Sequence, residues 1–207
     1  MTIRLHYIYD PLCGWCYAAA PLVAAAAAAP DVELVPHAGG LFPGPQSLPP
    51  GMHQHIKAAD ARIAVMTGQV FGPAYLEGLL PDPGLVLNSL PPIAAILAAE
   101  ALEAGGGLRM LAAIQRAHYV DGRRVAEDGV LRDLAREMGL DTEAFGAAMA
   151  AQPVAAHLGD TRRRMAQSGI GGFPGFVREQ DGTMSVLPHA AFYGQPAAFL
   201  DHLRAAA

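Results

Sequence analysis

The sequence predicts an α/β fold interrupted by a long helical insertion, and three observations carry this. A strand–helix–strand pattern opens the chain, strand-type sequence returns only near its end, and the stretch between them has helical spacing. Two strands joined through a helix lie side by side and parallel, the usual start of an α/β sheet. With 207 residues, 52% of them apolar and 7% aromatic, the chain can build one packed domain or a domain carrying a large insert.

Residues 2–9 interleave Arg4 and His6 with Ile3, Leu5, Tyr7 and Ile8, which reads as a strand. An alanine-rich helix follows from about Cys13 to Ala29, where Pro30-Asp31 breaks it, and Val32–Val35 forms a second short strand. Residues 39–51 are a loop rich in Gly and Pro, after which the pattern turns helical. Asn88-Ser89 before Pro91-Pro92 marks one helix start, with Ile93, Ile96, Leu97 and Ala101 on one face. Leu108, Leu111, Ala112 and Gln115 mark the next helix. Asp128 precedes another, with Leu131, Leu134 and Met138, that ends at Gly139. Asp141 with Glu143, and then Pro153, open two more, the last running to Gly169. Phe173–Arg178, the turn Gln180-Asp181-Gly182 and Thr183–Leu187 read as a hairpin. A final helix from Pro196 carries Phe199, Leu200 and Leu203 on one side. The implied division is residues 1–45 and 169–207 for the α/β part, with 46–168 as the helical insertion.

The formal net charge of −5 comes with no basic patch, which argues against a nucleic-acid partner. The one basic run, Arg162-Arg163-Arg164, falls within a helix and reads as a solvated face. No export signal is legible, and the run Ala18–Ala29 is too short for a bilayer and is interrupted by Pro21. A cytoplasmic location without membrane partners is therefore expected. In such a reducing compartment, two cysteines spaced C-x-x-C point to redox chemistry or to metal binding before a structural disulfide.

Cys13-Gly14-Trp15-Cys16 occupies the first turn of the first helix. A helix N-terminus stabilises a thiolate through its dipole and free N–H groups, and a spacing of three returns the second sulfur to the same face. Cys13 is then the exposed attacker and Cys16 the buried resolver, while Gly14 keeps the entrance open and Trp15 offers an apolar surface beside it. A zinc site would need histidines as its second ligand pair. The tightest set, His53-Gln54-His55, places its rings on different helix faces, so no metal is expected.

The segment Tyr9-Asp10-Pro11-Leu12-Cys13-Gly14-Trp15-Cys16 resembles the active site of DsbA-like thiol–disulfide oxidoreductases of the thioredoxin-like superfamily, in particular the cytoplasmic branch of protein-disulfide isomerase type. The resemblance continues through Thr67-Gly68-Gln69, Phe71-Gly72 and Gln115-Arg116-Ala117-His118-Tyr119, and covers most of the chain. It implies a thioredoxin fold with a large all-helical insertion after the first β-α-β unit. Pro21, five residues after Cys16, matches a proline that kinks the family's active-site helix. Phe173-Pro174 before a late strand resembles the cis-proline loop, against which an extended substrate lies. The resemblance thus implies catalysis by Cys13 and Cys16, and substrate binding by Trp15, Phe173 and Pro174.

Two departures stand out. The family carries a buried carboxylate six residues before the first cysteine, where this chain has Tyr7. Asp10 is the candidate to transfer the proton of Cys16 instead, beside its role as a turn residue before Pro11. The dipeptide Gly14-Trp15 also differs from the relatives, so no relative's potential transfers to this chain.

The expected activity is reduction or isomerisation of protein, peptide or small-molecule disulfides. No bound cofactor is expected, and electrons would come from an external thiol such as glutathione or a thioredoxin system. Two alternatives remain open: a glutathione-dependent transferase or isomerase of the kappa type, and a non-catalytic metal-holding module. Among the other residues, His6 and His118 read as core histidines. His189 and Tyr193 are placed to approach the site, and Met66, Phe71 and Tyr75 read equally as groove or core.

Overall fold

The computed structural model describes residues 2–205. Two compact units divide the chain, one built from residues up to Gly39, Arg62–Gln69 and residues from His157 onward, the other from Gly40–Ala61 and Val70–Ala156.

The first unit holds a four-stranded sheet. Strand β1 (Ile3–Tyr9) lies parallel to β2 (Val32–Ala38), with Ile3 opposite Val32 and Tyr9 opposite Ala38. On its other side it lies antiparallel to the strand Gly175–Gln180, which pairs in turn with Thr183–Val186. Every residue of β1 but Arg4 is buried, so both faces of this central strand are covered. β2 runs three residues further than its apolar core, through Pro36. Proline is tolerated there because β2 is an edge strand with no ladder partner on its outer side. In the hairpin, Asp181 and Gly182 both take positive φ, 51° and 78°, the backbone required by a two-residue turn between right-twisted strands.

Helix α1 (Gly14–Ala28) buries Cys16, Tyr17, Ala18, Ala19, Leu22, Val23 and Ala26. The small alanines let it sit close to the sheet, and the C-terminal helix Pro196–Ala205 packs beside it through Phe199 and Leu203. Phe176 is the hub of this core. It stacks on Tyr7 at 5.0 Å and meets Phe199 edge-on at 5.2 Å.

In the second unit, the ribbon pairs β3 (Gln46–Ser47) with β4 (Val86–Leu87), a contact absent from the sequence reading because two residues are too short to show alternation. Helix α2 (Met52–Thr67) gives its first residues to this unit and its last to the sheet unit. A π-helical turn spans Ala74–Leu79. Helices α3 (Leu90–Leu102), α4 (Gly106–Tyr119), α5 (Asp128–Glu137) and α6 (Thr142–Ala151) bury Ile93, Ile96, Met110, Ile114, Leu131, Leu134 and Phe145 among them. Asp141 caps α6, accepting from the N–H groups of Glu143 at 3.0 Å and Ala144 at 2.7 Å. Helix α7 (Val154–Ser168) and the strands β5 (Gly175–Gln180) and β6 (Thr183–Val186), then α8 (Pro196–Ala205), complete the order.

The motifs Phe71-Gly72 and Gln115–Tyr119 meet in this second unit. Gly72 donates to the Tyr119 carbonyl at 2.8 Å, and a Cβ on Gly72 would lie 2.0 Å from the Val120 oxygen. Phe71 and Tyr75 pack edge-on against Tyr119 at 5.5 and 5.3 Å, and Tyr75 lies against His118, which is itself buried. Phe71, Tyr75 and His118 are therefore packing residues. Because the obstacle is backbone, Gly72→Ala is expected to destabilise the protein by about 1–3 kcal/mol, read as a lower urea midpoint at unchanged m-value.

Candidate active site

β1 ends at Tyr9, and Asp10 turns the chain into α1. The Asp10 Oδ1 accepts from Leu12 N at 2.8 Å and its carbonyl accepts from Cys13 N at 3.2 Å, an Asx-type turn. Cys13 thereby becomes the N-cap of α1, in extended backbone (φ −89°, ψ 117°), its carbonyl accepting from Cys16 N at 2.9 Å and Tyr17 N at 3.1 Å. Its side chain makes no capping bond, which leaves the sulfur available for chemistry.

The two sulfurs differ in surroundings. Cys13 is 8% exposed and Cys16 is fully buried, and the pair is in the dithiol form. A hydrogen bond from the Cys16 thiol pulls the Cys13 thiol below its ordinary range. The N–H groups of Cys16 and Trp15 act in the same direction, against burial and the charge of Asp10. Burial pushes the Cys16 thiol well up, and its bond to Cys13 raises it further. The Asp10 N–H donates to Cys16 Sγ at 3.4 Å. Cys13 thus ionises first, with Cys16 as its proton-bearing partner.

Tyr7 sits where the sequence reading noted a missing carboxylate. Its hydroxyl donates to the Cys16 carbonyl at 3.4 Å, and burial, followed by the charge of the cysteine sulfurs, drives its pKa well above the ordinary phenol value. Tyr7 stays a hydrogen-bond donor and cannot serve as the base. Asp10 is fully buried and close enough to influence both sulfurs.

The late loop closes on this pair. The Phe173–Pro174 bond is cis, and the Phe173 carbonyl accepts from Cys13 Sγ at 3.7 Å. Gly39, just past β2, makes room for the loop: a Cβ there would lie 2.0 Å from Phe173 Cε1 and 2.2 Å from Cζ. Trp15 is half-buried, with the Tyr193 ring 5.6 Å away, the Tyr193 hydroxyl 3.5 Å from its carbonyl, and the Arg62 guanidinium over its face at 5.7 Å. The structure thus brings Trp15, Phe173 and Pro174 to the cysteines and Tyr193 to Trp15. His189 stands behind Tyr193 at 5.7 Å, and Met66 lies exposed on α2.

The sequence reading missed Gly39 and Arg62. A glycine after an edge strand and an arginine on a helix carry no signal until the fold sets them against Phe173 and Trp15. The Thr67-Gly68-Gln69 motif also gains a reason here. Thr67 Oγ1 ends α2 by accepting from Gln69 N at 3.1 Å, Gly68 takes φ 74°, and the Gln69 amide donates to the Tyr17 carbonyl of the active-site helix at 2.7 Å. Among the described residues, no group of three His, Cys, Asp or Glu side chains is placed to hold a metal ion.

The model of the DSBA-like thioredoxin domain family matches residues 4–196. The chain belongs to this family. The cytosolic disulfide reductase DsbM from Pseudomonas aeruginosa is 47% identical, with a TM-score of 0.89 and 97% of each chain covered. A structure of the same reductase with GSH gives 46% identity and a TM-score of 0.87, again over 97% of each chain. A Nitrosomonas europaea structure provisionally assigned as a protein disulfide isomerase is 26% identical, with a TM-score of 0.81 and 97% of each chain covered. No curated protein sequence matches. The DSBA-like fold with a helical insertion is the architecture described above.

Proposed function

We propose that this thiol–disulfide oxidoreductase of the DSBA-like family reduces or isomerises disulfides through Cys13 and Cys16, with glutathione as the source of electrons. The observation that carries the reading is the opposed environment of the two thiols. Cys13 is lowered by the Cys16 hydrogen bond, beside a carbonyl and a cis-proline, while Cys16 is held protonated by burial.

The Cys13 thiolate attacks one sulfur of a substrate disulfide, forming a mixed disulfide and releasing one substrate thiolate, which takes a proton from solvent. Cys16 then loses its proton toward Asp10 and attacks Cys13 Sγ. This closes the Cys13–Cys16 disulfide and expels the second substrate thiolate. The substrate gains two electrons and the pair loses two. Two glutathione thiols restore the dithiol and leave as glutathione disulfide. When the mixed disulfide is attacked by another thiol of the same substrate, the outcome is isomerisation. Trp15, Phe173 and Pro174 would hold a protein or peptide substrate in extended form.

The named relatives support this reading: a cytosolic disulfide reductase at 47% identity, also solved with GSH, favours reduction, glutathione and the cytoplasm. No helix among the described residues is long and apolar enough to cross a membrane. A kappa-type transferase needs only one activated thiol, whereas here Cys16 bonds the first sulfur directly. The test is turnover of a peptide with an intramolecular disulfide, using reduced glutathione as the only reductant and following glutathione disulfide formation. Turnover requiring both cysteines is expected. Activity lost in Cys13→Ser but kept in Cys16→Ser would replace this reading with the transferase, and turnover only with a thioredoxin system would replace glutathione as donor.

A further inference from the structure

The sheet face opposite Tyr7 carries a polar chain that the cysteine chemistry does not use. His6, 3% exposed in the middle of β1, has its Nε2 2.8 Å from Glu179 Oε2 and its Nδ1 2.9 Å from His37 Nε2. His37, on the edge strand β2, opens onto a cavity of about 380 Å³ whose other wall is α7. On that wall Arg163 is held by Asp160, while the half-buried Arg164 has no hydrogen-bond or ion-pair partner among the described residues. His157, Thr161 and Gln167 complete the lining.

The hydrogen bonds fix how these rings present themselves. His157 Nε2 accepts from Ala38 N at 3.1 Å, so its proton sits on Nδ1 as a donor. With His6 neutral, its Nε2–H serves Glu179, its Nδ1 accepts from His37 Nε2–H, and His37 shows the cavity a bare acceptor. One added proton reverses the middle bond. His6 then donates from both nitrogens, His37 Nε2 accepts, and the His37 proton moves to Nδ1 as a donor. Burial, then the charges of Arg164, His6 and His157, hold the His37 pKa down to about 3, so His37 itself stays neutral. The charged groups facing this pair are Arg4, Glu33 and Glu179 on the strands and His157, Asp160, Arg163 and Arg164 on α7.

We propose that this cavity binds a small oxyanion, a phosphoryl or carboxylate group, and that binding takes up one proton at the His6–His37 pair. The guanidinium of Arg164, His157 Nδ1–H and the switched His37 Nδ1–H supply the donors, and the anion's charge holds the added proton in place. Neither cysteine, nor Phe173 or Pro174, lines the cavity.

The test is calorimetric titration of the full chain at constant ionic strength between about pH 5.5 and pH 8.5, the range in which histidine pairs exchange protons. Sulfate stands for a phosphoryl group without titrating in this range, and acetate stands for a carboxylate. One anion is expected to bind, and the tighter of the two names the group. On the alkaline side its dissociation constant should rise about tenfold per pH unit, the slope of one linked proton. Arg164→Gln should weaken binding about tenfold or more. His37→Gln, whose amide donates at any pH, should bind with the pH slope removed. Arg162→Gln on the same helix should bind like the unaltered protein, and melting temperatures check that each variant is folded. Failure of both anions to bind, a pH-independent affinity in the unaltered chain, or unchanged binding in Arg164→Gln would overturn the proposal.

Discussion

Cys16→Ser is expected to turn the protein from a catalyst into a trap. Cys13 keeps its position at the Phe173 carbonyl and the helix N–H groups of residues 15 and 16, so attack on a substrate disulfide proceeds. The mixed disulfide then has no second protein thiol to carry it forward, and the freed substrate thiol can only reverse the attack or form another substrate disulfide. An intramolecular nucleophile is worth a large effective concentration, and its loss should lower turnover of an intramolecular substrate disulfide by at least about a hundredfold. The adduct should accumulate and be visible by mass spectrometry after acid quench. Cys13→Ser, left with only the fully buried Cys16 thiol, should show neither turnover nor adduct. The lowered Cys13 thiol also sets the pH dependence. The first attack should already be fast below the ordinary cysteine range and should level off as pH rises through the Cys13 pKa. If Cys16→Ser turned over at the unaltered rate, resolution by Cys16 would be excluded.

Gly39→Ala is expected to damage the site without touching a sulfur. The new methyl carbon would fall 2.0 Å from the Phe173 ring, far inside contact distance, so the ring and the loop that carries it must shift. Overpacking of this kind costs about 1–3 kcal/mol of stability. The same shift moves the carbonyl that accepts from Cys13 and the neighbouring Pro174. If half of that energy appears in the attacking step, kcat/KM falls by about two- to tenfold, since roughly 1.4 kcal/mol is a factor of ten. Phe173→Leu placed in the Gly39→Ala background should recover part of the loss, because it removes the atoms that clash. Equal losses in the single and double variants would show that Gly39 acts elsewhere.

The parts of this molecule that were legible from sequence are those governed by local pattern. The alternation in β1, the break at Pro30-Asp31, the Asp181-Gly182 turn, the cap at Asp141 and the helix start at Pro196 each write their structure into a few adjacent residues. The cysteine pair was legible for the same reason, since its spacing and its strand-to-helix position are local. What stayed hidden depends on distant segments meeting. The ribbon between Gln46–Ser47 and Val86–Leu87 is too short to alternate, and the π-helical turn at Ala74–Leu79 has the composition of an ordinary helix. Gly39 acquires its role only against Phe173, and Arg62 only against Trp15. His6 was readable as a buried histidine, but its partners His37 and Glu179 come from other strands, and their register appears only in the folded sheet.

The central claim is that Cys13 and Cys16 form a reversible two-electron couple, and equilibration against glutathione buffers of varied ratio tests it most directly. The account predicts a single two-electron transition, absent in Cys16→Ser, with a potential near or below about −250 mV if the protein works as a reductase. A potential above roughly −200 mV would assign it to isomerisation or oxidation. No reversible transition at all would contradict the account and leave the pair without a redox role.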